Sequence, residues 1–153
     1  MSRRDQIRMT DEEVAAYLDS QRDLQVASIN ADGSPHLVTM WFALMEGDIC
    51  FWTYGRSQKI VNLQRDPRVA VLVATGAEYG ELRGVTISGR AQVIEDRDEV
   101  NRIGETVFEK YWMPIEDDAT REGVRAMGSK RLGVRITPEK VVSWDHTKLG
   151  GMY

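Results

Sequence analysis

The sequence predicts an α+β fold, an antiparallel sheet closed into a small barrel with helices inserted between its hairpins. Three observations carry that expectation. About six stretches have strand character, several of them joined by tight turns. Helical patterns fall between hairpins and do not alternate strand by strand, so a parallel βαβ sheet is not expected. Gly84 and Gly89 interrupt a long alternating stretch, and barrels bend their strands at such positions.

The elements follow in chain order. Residues 1–9 are polar and are expected to be a flexible N-terminus. Thr10 and Glu13 form a capping box, and Val14, Ala15, Tyr17 and Leu18 give the next helix its apolar face, to about Ser20. Residues 24–29 read as a strand. Asn30, Asp32, Gly33 and Ser34 supply a hairpin turn into a partner strand over residues 36–44. Glu46, Gly47 and Asp48 make a second turn into a strand over residues 49–54. Ser57 opens a short helix that Pro67 ends. Residues 68–75 (RVAVLVAT) are apolar on both alternating faces, as in a strand covered on both sides. After a loop, residues 82–94 alternate as a long strand. Asp96 caps a helix to about Trp112 whose stripe is Val100, Ile103, Val107, Phe108 and Tyr111. Glu116, Asp117 and Asp118 read as a solvated loop before a short helix over residues 121–127. Residues 130–137 and 141–144 return to strand around Pro138. The whole chain, 1–153, reads as one domain.

Composition narrows the function classes. A chain of 153 residues suits one domain with a real core. Its net charge of −4 makes it a poor general binder of nucleic acid. No stretch approaches the length of a membrane span and residues 1–8 lack the apolar block of a signal peptide, so a cytoplasmic protein is the expectation. Cys50 has no partner cysteine and reads as a small buried hydrophobe. Two histidines, His36 and His146, and one cysteine give no metal-ligand spacing, so no metal site is expected. No GxGxxG follows a strand and no GxSxG elbow occurs. His36, after Pro35, reads as an exposed strand-end residue.

One stretch stands apart. Residues 51–68, FWTYGRSQKIVNLQRDPR, run from a strand through Gly55 into the Ser57 helix. Arg56 and Lys59 sit at the start of that helix, the positive end of its dipole, where a cation is unfavourable. Either both side chains reach into water, or backbone N–H groups, a serine hydroxyl and two cations converge on a bound anion, most often a phosphate.

His36–Phe42 (HLVTMWF), the turn Glu46–Asp48 and Phe51–Val69 together resemble the flavin-binding split-barrel superfamily of pyridoxamine 5′-phosphate oxidase. Within it the chain is most similar to the oxidoreductases that use the deazaflavin coenzyme F420. The resemblance runs from Thr10 to about Trp144. It implies a six-stranded split barrel that forms a homodimer, with two cofactor sites along the subunit interface. Thr53, Ser57 and Lys59 would hold the cofactor phosphate, with Arg56 or Gln58 beside them. Thr39, Met40 and Trp41 would line the ring. Trp144 and His146 would close the pocket from the other subunit. The enzymes that oxidise pyridoxamine phosphate carry basic and histidine residues near the C-terminus, whereas this chain ends KLGGMY over Lys148–Tyr153, which argues against vitamin B6 oxidation.

The expected reaction is hydride transfer between bound F420 and a small organic acceptor, without metal. His146 and Tyr153 are the candidate proton donors. FMN fits the same phosphate positions and is the alternative cofactor. A non-catalytic carrier of either cofactor is the alternative role. Arginine far outnumbers lysine and alanine is frequent, as in high-GC actinobacteria, where F420 is common.

Overall fold

A computed structural model describes residues 2–151 of the chain. Its strands are β1 (Leu24–Ile29), β2 (Pro35–Met40), β3 (Ala43–Met45), β4 (Asp48–Tyr54), β5 (Arg68–Thr75), β6 (Arg83–Ile94) and β7 (Arg131–Asp145). All pair antiparallel, in the order β2-β1-β5-β6-β7-β4-β3, and the sheet curls into a half-barrel. The helices are α1 (Arg3–Ile7), α2 (Asp11–Ser20), α3 (Gln58–Arg65), α4 (Arg97–Tyr111) and α5 (Asp118–Met127).

The α+β class agrees with the sequence; the strand number does not. Seven strands replace the expected six because residues 36–44 are not one strand. β2 pairs with β1 at one edge of the sheet, and β3 pairs with β4 at the other. Trp41 and Phe42 carry the chain across the gap. Phe42 is fully buried, and its N–H donates to the Tyr111 hydroxyl at 3.0 Å. That bond replaces the ladder bond a continuous strand would make.

Conversely, Pro138 does not end a strand. It faces Gly89 at a register shift, and β7 continues through it. A Cβ on Gly89 would lie 2.1 Å from the Thr137 carbonyl oxygen, so only glycine allows this approach. Residues 83–90 of β6 pair with β5, and residues 131–135 of β7 pair with β4. The bend between these stretches curls the sheet.

Two cores result. Inside the curl, Val26, Phe51, Val71, Val85 and Ile136 pack under Ile60 and Leu63 of α3 and Tyr17 and Leu18 of α2. Outside it, β3 and β4 pack Cys50 and Trp52 against Ile103 and Val107 of α4 and Val124 of α5. The Trp52 ring lies against Gly104 and Gly128, where an added Cβ would stand 2.2 and 2.3 Å from it. Trp52 is therefore covered by its own helices and is not surface for a partner subunit. Burial pushes the Cys50 thiol up to about 11, in keeping with a small core residue.

On the opposite face of β2-β1-β5-β6-β7, α1 borders the β7 end, with Arg4 and Asp5 beside Lys140 and Val142. Cross-strand partners share a face, so Thr39, Gln25, Leu72, Thr86 and Val142 form one row and Leu37, Ala27, Ala70, Ser88 and Lys140 the next. Within the N-terminal stretch, Arg3–Ile7 form α1. Ser2 and Asp5 form a capping box for α1, and the N–H of buried Met9 donates to Ser143 Oγ at 3.1 Å. The acidic loop is also partly helix: Asp117 caps α5 and Asp118 begins it. Among the described residues, no helix is long and apolar enough to cross a membrane.

Candidate functional site

The start of α3 is built by the end of β4. Strand alternation turns Thr53 towards the inside and Tyr54 to solvent. The chain then reverses over residues 54–57, closed by the Ser57 N–H donating to the Tyr54 carbonyl at 2.9 Å. Ser57 has N-cap backbone angles, φ −66° and ψ 151°, yet its side chain caps nothing. Its Oγ is buried without a hydrogen-bond partner. A buried hydroxyl without a partner costs about 1–3 kcal/mol, so a missing acceptor or donor is the natural reading. The first turn of α3 has no acidic residue. Lys59 is half-buried, and its Nζ donates to Thr53 Oγ1 at 3.2 Å. No carboxylate pairs with it among the described residues, and burial pushes its ammonium below the ordinary lysine value. An unpaired cation, an orphaned hydroxyl, a threonine hydroxyl and the free N–H groups of a helix start are the groups an anion would meet here.

The helix is held from its far side. Asn62 is fully buried and donates from Nδ2 to Ser28 Oγ at 3.1 Å and Asn30 Oδ1 at 3.0 Å. Arg65 donates to the Ile29 carbonyl and to Asn62 Oδ1. Past Pro67, Arg68 pairs with Asp66 at 2.7 Å and holds its carboxyl down at about 2. The motif Asn-Leu-x-Arg-Asp-Pro-Arg thus anchors α3 to β1 and leaves its start free.

Thr53 and Lys59 are joined by that hydrogen bond, and Ser57 opens the helix that carries Lys59. Gln58 turns away and donates to Asn62 at 2.8 Å. Arg56 is exposed and lines the neighbouring cleft. Thr39 lies on the outer face, Met40 packs on the inner core, and Trp41 stacks on Tyr111 at 4.4 Å. Within one chain these three do not share a surface, because consecutive strand residues point to opposite faces. Trp144 covers Gly84, and His146 meets the Tyr79 ring at 4.6 Å. Both stand at the β5–β6 turn, the opposite end of β5 from α3. Tyr153 lies outside the described residues. No group of histidine, cysteine and acidic side chains able to hold a metal is found among the described residues.

Two features were not read from the sequence. His36 is not exposed: it is half-buried on the inner side with Val38 and Met40, across from Ser28, and its Nδ1 has no partner. A cleft of ≈ 760 Å³ beside Arg56 is completed by Arg97, Lys130 and Arg131. The signal for it was weak, because its cations come from three distant stretches of chain.

Comparison with known proteins agrees with this architecture. A family profile described as pyridoxamine 5′-phosphate oxidase matches residues 10–145. No curated protein matches the chain. A conserved hypothetical protein from Mycobacterium tuberculosis is 41% identical, with a TM-score of 0.94 over 100% of this chain and 95% of that one. An F420 reductase is 20% identical, with a TM-score of 0.63 over 82% of this chain and 93% of that one. An FAD-binding protein from Mesorhizobium loti is 19% identical, with a TM-score of 0.66 over 88% and 94%. The last two share the fold.

Proposed function

The chain belongs to the pyridoxamine 5′-phosphate oxidase family, and from that premise we propose that it is an oxidoreductase whose cofactor phosphate is anchored at the start of α3. The observation that carries this reading is the half-buried, unpaired Lys59 beside the orphaned Ser57 hydroxyl. We take F420 as the cofactor, on the strength of the resemblance at Phe51–Val69, and a small organic molecule as hydride acceptor. When bound, a deazaflavin supplies a hydride from its ring. The protein's part is to hold and desolvate. Lys59 and Ser57 meet the phosphate, Thr53 orients the Lys59 ammonium, and Asn62 fixes the helix that carries them.

The ring would lie at a homodimer interface. The two rows around Thr39 and Leu37 hold one charge, Lys140, in a chain where 29% of residues are charged. Leu37 is 67% exposed in the single chain. Two adjoining rows with so little charge suit a symmetric partner. Such pairing also puts Thr39 on shared surface. Light scattering should give twice the chain mass at micromolar concentration; a monomer removes the interface.

The decisive test is titration of the protein with F420 and with FMN, followed by absorbance and fluorescence. Lys59→Ala should weaken binding by about one to two decades, since a charge-assisted contact is worth roughly 1.5–3 kcal/mol. Equal affinity in wild type and variant would remove the phosphate site. If only FMN binds, the FMN reading replaces the deazaflavin. If reduced F420 binds tightly and no acceptor in a panel of quinones and unsaturated lactones is turned over, the protein is a carrier.

A further inference from the structure

We propose that the cleft beside the β4–α3 turn is a second binding site, built for a planar aromatic carboxylate. It is independent of the phosphate site. Four cations line it, Arg56, Arg97, Lys130 and Arg131, against one carboxylate, Glu95. The chain as a whole is acidic, with a net charge of −4. None of the four cations is in an ion pair among the described residues, whereas Arg102, Arg121, Arg125 and Arg135 each are. Arg97 is spent on the Gly128 and Arg131 carbonyls, which fixes the start of β7 and leaves its charge uncompensated.

Arg131 lines two adjoining pockets. Its guanidinium lies 4.7 Å over the Trp52 ring and 5.3 Å from the Tyr54 ring centre. Stacked faces hold a guanidinium in one plane and leave its donors at the edge, the geometry that meets a carboxylate. Its Nε is buried and has no partner. On the other side Arg131 borders a pocket of ≈ 220 Å³ lined by Trp41, Trp52, Phe108, Trp112 and Met127. Trp112 is 55% exposed and Met127 44%, so much of this apolar lining is open to solvent. Cations on one side of Arg131 and aromatic rings on the other specify both halves of the ligand. A flat apolar ring would rest among the tryptophans, and its carboxylate would reach Arg131 and Lys130.

Calorimetric titration with naphthoate and its neutral twin naphthamide tests this. Naphthoate should bind at least about tenfold more tightly, as expected for a charge-assisted pair. Arg131→Gln and Lys130→Gln should each weaken naphthoate several-fold and leave naphthamide unchanged. Lys130 is exposed, so its variant keeps the test valid if Arg131→Gln fails to fold. Trp112→Ala should weaken both twins. Lys59→Ala should change neither, which separates this site from the phosphate site. Equal affinity for the twins, no loss in Lys130→Gln, or a matching loss in Lys59→Ala would each overturn the proposal.

Discussion

The starts of α3 and α4 are built on opposite plans. At α4, Asp96 accepts a hydrogen bond from the Glu99 N–H at 3.0 Å, and Asp98 and Glu99 place negative charge in the first turn. Glu99 in turn pairs with Arg102 at 3.0 Å. An N-cap hydrogen bond and first-turn acids steady this helix start. At α3 the N-cap residue is of the right type and in the right conformation, but its hydroxyl is unused and a cation replaces the acids. Its stability comes instead from below, through Asn62, Ile60 and Leu63. The difference teaches where to look for a ligand. A helix that caps itself has nothing left to offer an anion, and one that does not is destabilised until an anion arrives.

The sharpest way to break the contrast is to give α3 the α4 design. Ser57→Asp supplies a capping carboxylate where the phosphate is expected. It should lower cofactor affinity by about two decades or more, from a lost donor and from like-charge repulsion. The same change should stabilise the cofactor-free protein by roughly 0.5–1 kcal/mol, through capping and the helix dipole. Denaturant unfolding without cofactor and fluorescence titration with it read the two effects. If affinity survives, the anion does not bind at this helix start.

The converse experiment acts on α4. Asp96→Ala should cost about 1 kcal/mol of stability, the usual loss of an N-cap. It should leave cofactor affinity unchanged, because the α4 start lies apart from Ser57 and Lys59 and already holds a capping carboxylate. A loss of affinity as large as that of Lys59→Ala would mean that the two helix starts are coupled, and the contrast would not be local.

How far the sequence reached follows the same division between local and non-local causes. The capping box at Thr10 and Glu13 and the Ser57 helix were readable because each is set by neighbours in sequence. So was the misplaced charge at Lys59. The break between β2 and β3 was not, since Trp41 and Phe42 suit strands and only closure of the sheet makes them cross from one edge to the other. His36 was misread for a related reason. Its burial depends on sharing a face with Val38 and Met40, a register that β1 imposes. The Arg131 cleft lay furthest from reach, because Arg56, Arg97 and Lys130 meet only through the β4–β7 pairing.

The smallest expected effect sharpens the contrast most finely, through the protons on Lys59. Burial holds its ammonium below the ordinary lysine value in the empty protein. In the unfolded chain the group regains that ordinary value. Between the two values the unfolded chain binds more protons than the folded one, so this group makes the empty protein more stable as pH rises through that window. A bound phosphate reverses the balance, because a neighbouring anion favours the charged amine and raises its pKa. Cofactor binding in the same window should therefore take up a proton, and affinity should fall as pH rises. Lys110 also titrates in the alkaline range, lowered to about 8 mainly by burial, with its Nζ 3.8 Å from the Phe42 ring centre. The comparison must therefore be made against Lys59→Ala, which keeps Lys110. Calorimetry at one alkaline pH in two buffers of different ionisation enthalpy measures the uptake directly. Wild type should show a fractional proton gained per cofactor and Lys59→Ala none. An equal uptake in both would assign the proton to another group and leave Lys59 without contact to the anion.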